Sequence, residues 1–205
     1  MTHSDYFSVF SLPRKLRVDT VALERAFYAH SRKLHPDRFA TASKEAQEAA
    51  LAEASQLNDA YRTLKEPVAR TEYLLSLEGV QLQEQSKQAT DAARAAGTEK
   101  VQVAPPDLLE EVFELNMQLE EMRANRKMGE DDAQLAGDLQ AAKAHFEGML
   151  AALQTELEAL WAGWDAALDA NDAAAKEKAK VEMVALLNRR SYVRNLVRDV
   201  NEALE

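Results

Sequence analysis

Apolar side chains recur at helical steps on both sides of a single proline, and that break governs how the first third of the chain can fold. Before it, Leu23, Phe27 and Leu34, with Ala26 and His30, fall on one face of a helix. After it, Ala50, Ala54, Leu57, Tyr61 and Leu64 follow at steps of four, three, four and three, the pattern of a helix packed antiparallel on the first. Pro36 pushes His35 away from the α region, so the first helix stops near Leu34. Asp19 or Thr20 is placed to cap its start by accepting a bond from an orphan N–H. The second helix opens at about Lys44, which makes His35-Pro36-Asp37 an exposed tip rather than a buried join. Pro67 interrupts the second helix, and a short one resumes from Arg70 to Leu77 and is closed by Gly79. A short aromatic segment, Asp5 to Pro13 with Tyr6, Phe7 and Phe10, precedes the pair.

The same economy of chain breakers extends to the end. The 205 residues include 6 Gly and 5 Pro, and β-branched residues are sparse beside Ala, Leu, Glu, Gln and Lys, which lose little rotamer freedom in a helix. The chain is therefore expected to be all-α, with room for one full domain or two small ones. Residues 80–105 have weak periodicity and many small or polar side chains, and read as a linker. Pro105-Pro106-Asp107 opens a new helix, since proline suits a first turn. Two more helical stretches follow, about 131–169 after Gly129 and 173–204 after Asn171-Asp172. Three helices with short connections make an antiparallel bundle over 106–205, behind an N-terminal unit over 1–79.

Charge narrows the partners. The net charge of −10 argues against nucleic acid, because phosphate neutralisation needs clustered Lys and Arg. Residues 1–77 hold 11 Lys and Arg against 10 Asp and Glu, whereas the remainder holds 14 against 25, so a near-neutral head precedes an acidic tail. No apolar run approaches the roughly 18 residues that suggest a membrane span. The N-terminus has neither the basic and apolar regions of a signal peptide nor the Arg-rich character of a transit peptide. Absence of Cys excludes disulfides, thiolate ligands and a Cys nucleophile. His3, His30 and His145 are isolated and lack metal-ligand spacing, and neither a Gly-rich phosphate loop nor a pair of catalytic carboxylates is present. No enzyme, cofactor or metal is expected, and a bacterial-type cytoplasmic location fits.

By itself His-Pro-Asp can be a turn between helices, as Asp and Pro are common turn residues. Its setting adds Arg25 and Arg32, seven positions apart on one face, with Lys33 and Arg38 near the tip. These are either a solvated basic face or a dock for an acidic partner, where electrostatics supplies on-rate and orientation more than affinity.

A basic helix, His35-Pro36-Asp37, a long helix carrying Asn58-Asp59-Ala60-Tyr61, then Leu64-Lys65-Glu66-Pro67 and Arg70 together resemble a J domain: an antiparallel helical hairpin with short flanking helices. The resemblance implies that His35, Pro36 and Asp37 trigger ATP hydrolysis by a DnaK- or HscA-type chaperone, with Arg25, Arg32, Lys33 and Arg38 as the dock. Within J proteins three features resemble the HscB family of iron–sulfur co-chaperones. They are the opening Asp5-Tyr6-Phe7-x-x-Phe10-x-Leu12-Pro13, the run Ala69-Arg70-Thr71-Glu72-Tyr73-Leu74-Leu75, and the acidic three-helix region. The Gly/Phe-rich region and Cys-rich zinc repeats of DnaJ-type proteins are missing, as are the zinc-binding Cys pairs of some eukaryotic HscB members. The chain departs from the family pattern in its long spacer around residues 83–104.

The helix after Pro106 carries two apolar stripes. Leu108, Val112, Leu115, Leu119 and Met122 form one; Leu109, Phe113 and Met117 form another, about a third of a turn away. One stripe suffices to hold a helix in a bundle, so the second is either a widened core or an exposed patch with Glu110 and Glu114 as a polar rim. The family resemblance implies the patch, giving Leu109, Glu110, Phe113, Glu114 and Met117 the role of binding the iron–sulfur scaffold protein IscU. Leu186 joins them by the same resemblance, although its helical angle falls on the core side of the last helix. Trp161 and Trp164 lie in an apolar helical pattern and read as core or half-exposed packing. Two other classes compete with a targeting co-chaperone: a general J protein that binds unfolded clients, and a hydrolase with His35 as base, for which no nucleophile or cleft is evident.

Overall fold

The computed structural model describes residues 5–39, 41–80 and 105–205. Most of the expected linker, and His3, lie outside the described residues. Among the described residues every regular element is helical, as the composition requires. In chain order these are α1 (Tyr6–Val9), α2 (Thr20–Lys33), α3 (Lys44–Lys65), α4 (Pro67–Leu77), α5 (Leu109–Met128), α6 (Ala133–Asp169) and α7 (Ala173–Leu204). Single 3-10 turns occupy Pro36–Phe39 and Pro106–Leu108. The chain divides into two compact units, one made of Met1–Val80 with Glu158–Met183, the other of Gln81–Leu157 with Val184–Glu205.

In the first unit each boundary has a local cause. Asp19 caps α2, its Oδ1 accepting from the amides of Val21 at 3.0 Å and Ala22 at 2.9 Å. Ser43 does the same for α3 through the Ala46 amide. Glu66, preceding a proline, is extended at φ −84° and ψ 125°, so α3 ends there and Pro67 starts α4. Gly79, at φ +80°, ends α4 in a left-handed turn; its amide donates to Ser76 O and the Val80 amide to Leu75 O at 2.9 Å. α2 and α3 run antiparallel, with Phe27 stacked on Tyr61 at 4.2 Å between ring centroids and Tyr61 Oη donating to Glu24. Leu23 of α2 and Ala50, Leu57, Ala60 and Leu64 of α3 bury the faces between them. Tyr73 of α4 stacks on Tyr6 and accepts from the Tyr6 amide at 2.9 Å, which seats α1.

The adjoining ends of α6 and α7 complete this unit. Trp161 and Trp164 are both buried: Trp161 Nε1 donates to Thr71 Oγ1 at 3.1 Å, and Trp164 Nε1 to Arg14 O at 3.2 Å. Asp165 spreads its carboxylate over two backbone amides, Leu16 at 2.8 Å and Arg17 at 3.1 Å. Those amides belong to the loop before α2 and would otherwise lose hydration without replacement. The Arg70 guanidinium lies 4.6 Å from the Trp161 ring and donates to Leu64 O. Burial pushes the Arg70 pKa down, opposed by Glu158, Asp165 and Glu66.

The second unit packs α5 against the near part of α6 and the far part of α7. Val112, Leu115 and Leu119 share one buried cluster with Leu139 and Phe146 of α6 and Val193 and Val200 of α7. Gly129, left-handed at φ +73°, closes α5, and Glu130 N donates to Asn125 O. Where α5 begins, Asp107 receives both terminal nitrogens of Arg189 at 2.9 and 2.6 Å. That two-pronged hydrogen bond holds the Asp107 carboxyl below its ordinary pKa.

Two predictions follow from these contacts. Asp165→Ala strands two amides and should lower unfolding free energy by about 2 kcal/mol in urea titration, and Trp164→Ala by about 3–5 kcal/mol. For Asp107 the folded pKa lies below the unfolded one, so its contribution is present above the unfolded carboxylate pKa and fades as pH falls through the folded value. Arg189→Leu should therefore lower the melting temperature near neutrality and flatten the acid side of a plot of melting temperature against pH, the two proteins converging at low pH.

Candidate functional site

Two surfaces concentrate the residues singled out from the sequence. The first is the tip of the α2–α3 pair. Leu34 receives the end of α2, its amide donating to His30 O and Ser31 O, and the chain then enters the Pro36–Phe39 turn. His35 and Asp37 are exposed there, with the Asp37 amide donating to His35 Nδ1 at 3.3 Å. With Nδ1 accepting, the neutral imidazole carries its hydrogen on Nε2, away from the turn. Asp37 Oδ2 also lies 3.4 Å from Nδ1. The local geometry thus presents one imidazole donor edge and one carboxylate to solvent.

Arg25, Arg32, Lys33 and Arg38 are all exposed, and among the described residues they take part in no ion pair. Arg32 Nε donates to Tyr28 O at 3.2 Å, which lays its stem along the helix. The structure brings these cations onto α2 and the turn beside His35, as the spacing implied.

The second surface is the outer side of α5. Leu108, Val112, Leu115, Leu119 and Met122 form its buried face. Leu109, Phe113 and Met117 are 55%, 69% and 60% exposed, which resolves the alternative left open by the pattern: the second stripe is surface, not core. Glu110 and Glu114 are exposed beside it. Leu186 is half-buried and packs against the core cluster of this unit, in keeping with its helical angle.

One residue of this surface went unread in the sequence. Met128 is exposed and lies eleven positions after Met117, about 20° further round at roughly 100° per residue. It lies on the same side of α5 as Met117, with the exposed Glu121 between them, and the i, i+11 spacing was the available signal. Among the described residues no group of three or more His, Asp or Glu could hold a metal ion, and no helix is long and apolar enough to cross a membrane.

No family model matches the chain. A curated relative, the co-chaperone protein HscB homolog of Bordetella petrii, is 43% identical over 93 residues, which are 45% of this chain and 55% of that protein. The match thus spans about half the length of the relative. Among solved structures, the chaperone HscB from Vibrio cholerae superposes with a TM-score of 0.59 at 27% identity, covering 97% of this chain and 96% of that one. The crystal structure of human co-chaperone protein HscB gives a TM-score of 0.61 over 98% of this chain and 83% of that one, at 21% identity, a likeness of fold alone. In sequence over that stretch, and in all-helical fold over nearly its whole length, the chain is similar to the HscB co-chaperones.

Proposed function

We propose that the chain is a J-type co-chaperone of iron–sulfur cluster assembly, which stimulates the ATPase of an HscA- or DnaK-type chaperone and delivers an IscU-type scaffold protein to it. Residues 1–79 act as the J domain, with His35, Pro36 and Asp37 as trigger and Arg25, Arg32, Lys33 and Arg38 as dock. Residues 106–205 carry the scaffold-binding surface, made by Leu109, Glu110, Phe113, Glu114 and Met117, with Leu186 of the last helix as a further, half-buried member. The chain itself turns over no substrate; ATP hydrolysis belongs to its partner. The resemblance to a bacterial HscB homologue supports a setting in a bacterial cytoplasm.

The observation that carries the reading is the exposed imidazole and carboxylate at a helical tip, flanked by cations that take part in no ion pair among the described residues. Unpaired cations steer an acidic surface into register and speed encounter, while the short-range contacts of His35 and Asp37 decide what happens on arrival. The α5 stripe supplies the second contact. Each of its large side chains, fully buried by a partner, contributes about 1.5–3 kcal/mol, enough in sum for micromolar binding after the cost of association. Holding cargo and chaperone on one chain raises their effective concentration for each other.

His35→Gln should abolish stimulation of the chaperone's ATPase in steady-state phosphate release while leaving IscU binding within twofold; normal stimulation by that variant would defeat the assignment. Leu109→Ala with Phe113→Ala should weaken IscU binding by about 100-fold or more in calorimetry. Stimulation in the absence of IscU should persist in that double variant. Equal binding of unfolded polypeptides and IscU to the wild-type chain would instead favour a general folding role.

A further inference from the structure

The exposed side of α2 is not purely cationic. Val21 and Tyr28 are each 57% exposed, and with Arg25 and Arg32 they fall within an arc of about 60° at roughly 100° per residue. The four alternate apolar, cationic, apolar, cationic over about 16 Å of helix. Single exposed apolar residues are ordinary, but here two stand on the same stripe of one helix as two exposed arginines. A face meant only for water would be better served by Glu at Val21, in the first turn, and by Lys or Glu at Tyr28.

Tyr28 is also held in place. Its ring meets Phe27 at 5.4 Å between centroids with a 59° tilt, and Phe27 stacks on Tyr61. Tyr61 in turn is fixed by its bond to Glu24 and by the Lys65 ammonium 5.4 Å from its ring. The nearest carboxylate on α2 is thus occupied, and the exposed ring stands at the end of a chain of packed aromatics. A rigid, amphipathic aromatic in such a position binds with little loss of side-chain freedom.

We infer that Val21 and Tyr28 are apolar anchors of the chaperone dock, seated in apolar recesses of the partner's acidic surface, Tyr28 between the carboxylates that meet Arg25 and Arg32 and Val21 one turn before Arg25. This rests on the function proposed above and adds to it a division of labour: the cations orient the complex and the two apolar side chains hold it. Charge complementarity commits the occupant to an acidic protein surface; the unpaired cations on the same stripe exclude a basic one.

The two contributions separate with salt, because screening weakens exposed charge pairs and leaves apolar burial intact. The experiment is stimulation of a bacterial HscA-type chaperone by the full chain, read as the half-maximal concentration at about 50 and about 300 mM salt. Tyr28→Ala should raise it about tenfold and Val21→Ser about threefold, by similar factors at both salt levels. The effect of Arg32→Ala should shrink as salt rises. Tyr28→Lys, which keeps a good helix former at an exposed site, carries the decisive sign: an all-electrostatic dock would bind it more tightly at low salt, an apolar seat less tightly. Unchanged stimulation by Tyr28→Ala, or tighter binding by Tyr28→Lys, overturns the inference. His35→Gln in parallel separates the two ideas. If it abolishes stimulation while Tyr28 variants are neutral, only the anchors fail; if it stimulates normally, the function fails first.

Discussion

The rigidity of proline's ring sets the frame on which both surfaces stand. Each described proline within the helical part of the chain sits at a helix boundary: Pro36 beyond α2, Pro67 at the first position of α4, Pro105 and Pro106 before α5. A proline in a helix interior would remove a backbone bond and clash with the preceding turn, so these positions can only begin or end an element. Pro36 therefore stops α2 where Arg32 and Lys33 are already near its end, and the turn that follows carries His35 and Asp37 outward. Remove that constraint and the basic helix could run on, and the imidazole and carboxylate would lose their common tip.

Much of this frame was legible because helix boundaries are written locally. Asp19, Ser43, Pro67, Gly79 and Gly129 act within four residues of themselves, and a pattern of periodic apolar positions between such signals leaves little freedom of assignment. What the pattern could not carry was the identity of the far partner. Trp161 and Trp164 were readable as apolar helical positions, but nothing in their neighbourhood names Thr71, 90 residues away, or Arg14, 150 away. Asp165 was invisible for the same reason. A carboxylate in a helix next to a tryptophan reads as surface until the amides of Leu16 and Arg17 are placed against it.

The α5 stripe shows the limit of periodicity from another side. Two adjacent apolar stripes on one helix are compatible with a wide core or with a narrow core and a naked face, and the hydrophobic pattern is the same in both. Only the number of helices that fit around α5 decides. With α6 and α7 covering Leu115, Leu119 and Met122, no further element reaches Leu109, Phe113 or Met117 among the described residues. Leu186 illustrates the opposite case: its angle on α7 pointed inward, and inward is where it packs.

The two proposed docks differ in the physics that would hold a partner on each. Contacts weighted toward exposed charge form quickly and release quickly, because steering raises the on-rate while water competes for every ion pair. A stripe of Leu, Phe and Met gains little from long-range attraction, and its stability shows in slow release. Placing cations on α2 and bare apolar side chains on α5 therefore separates the lifetimes of the two contacts without any moving part. If Val21 and Tyr28 anchor the first dock as inferred, they set how far it departs from the purely electrostatic limit, because apolar burial slows release where screened charge pairs do not.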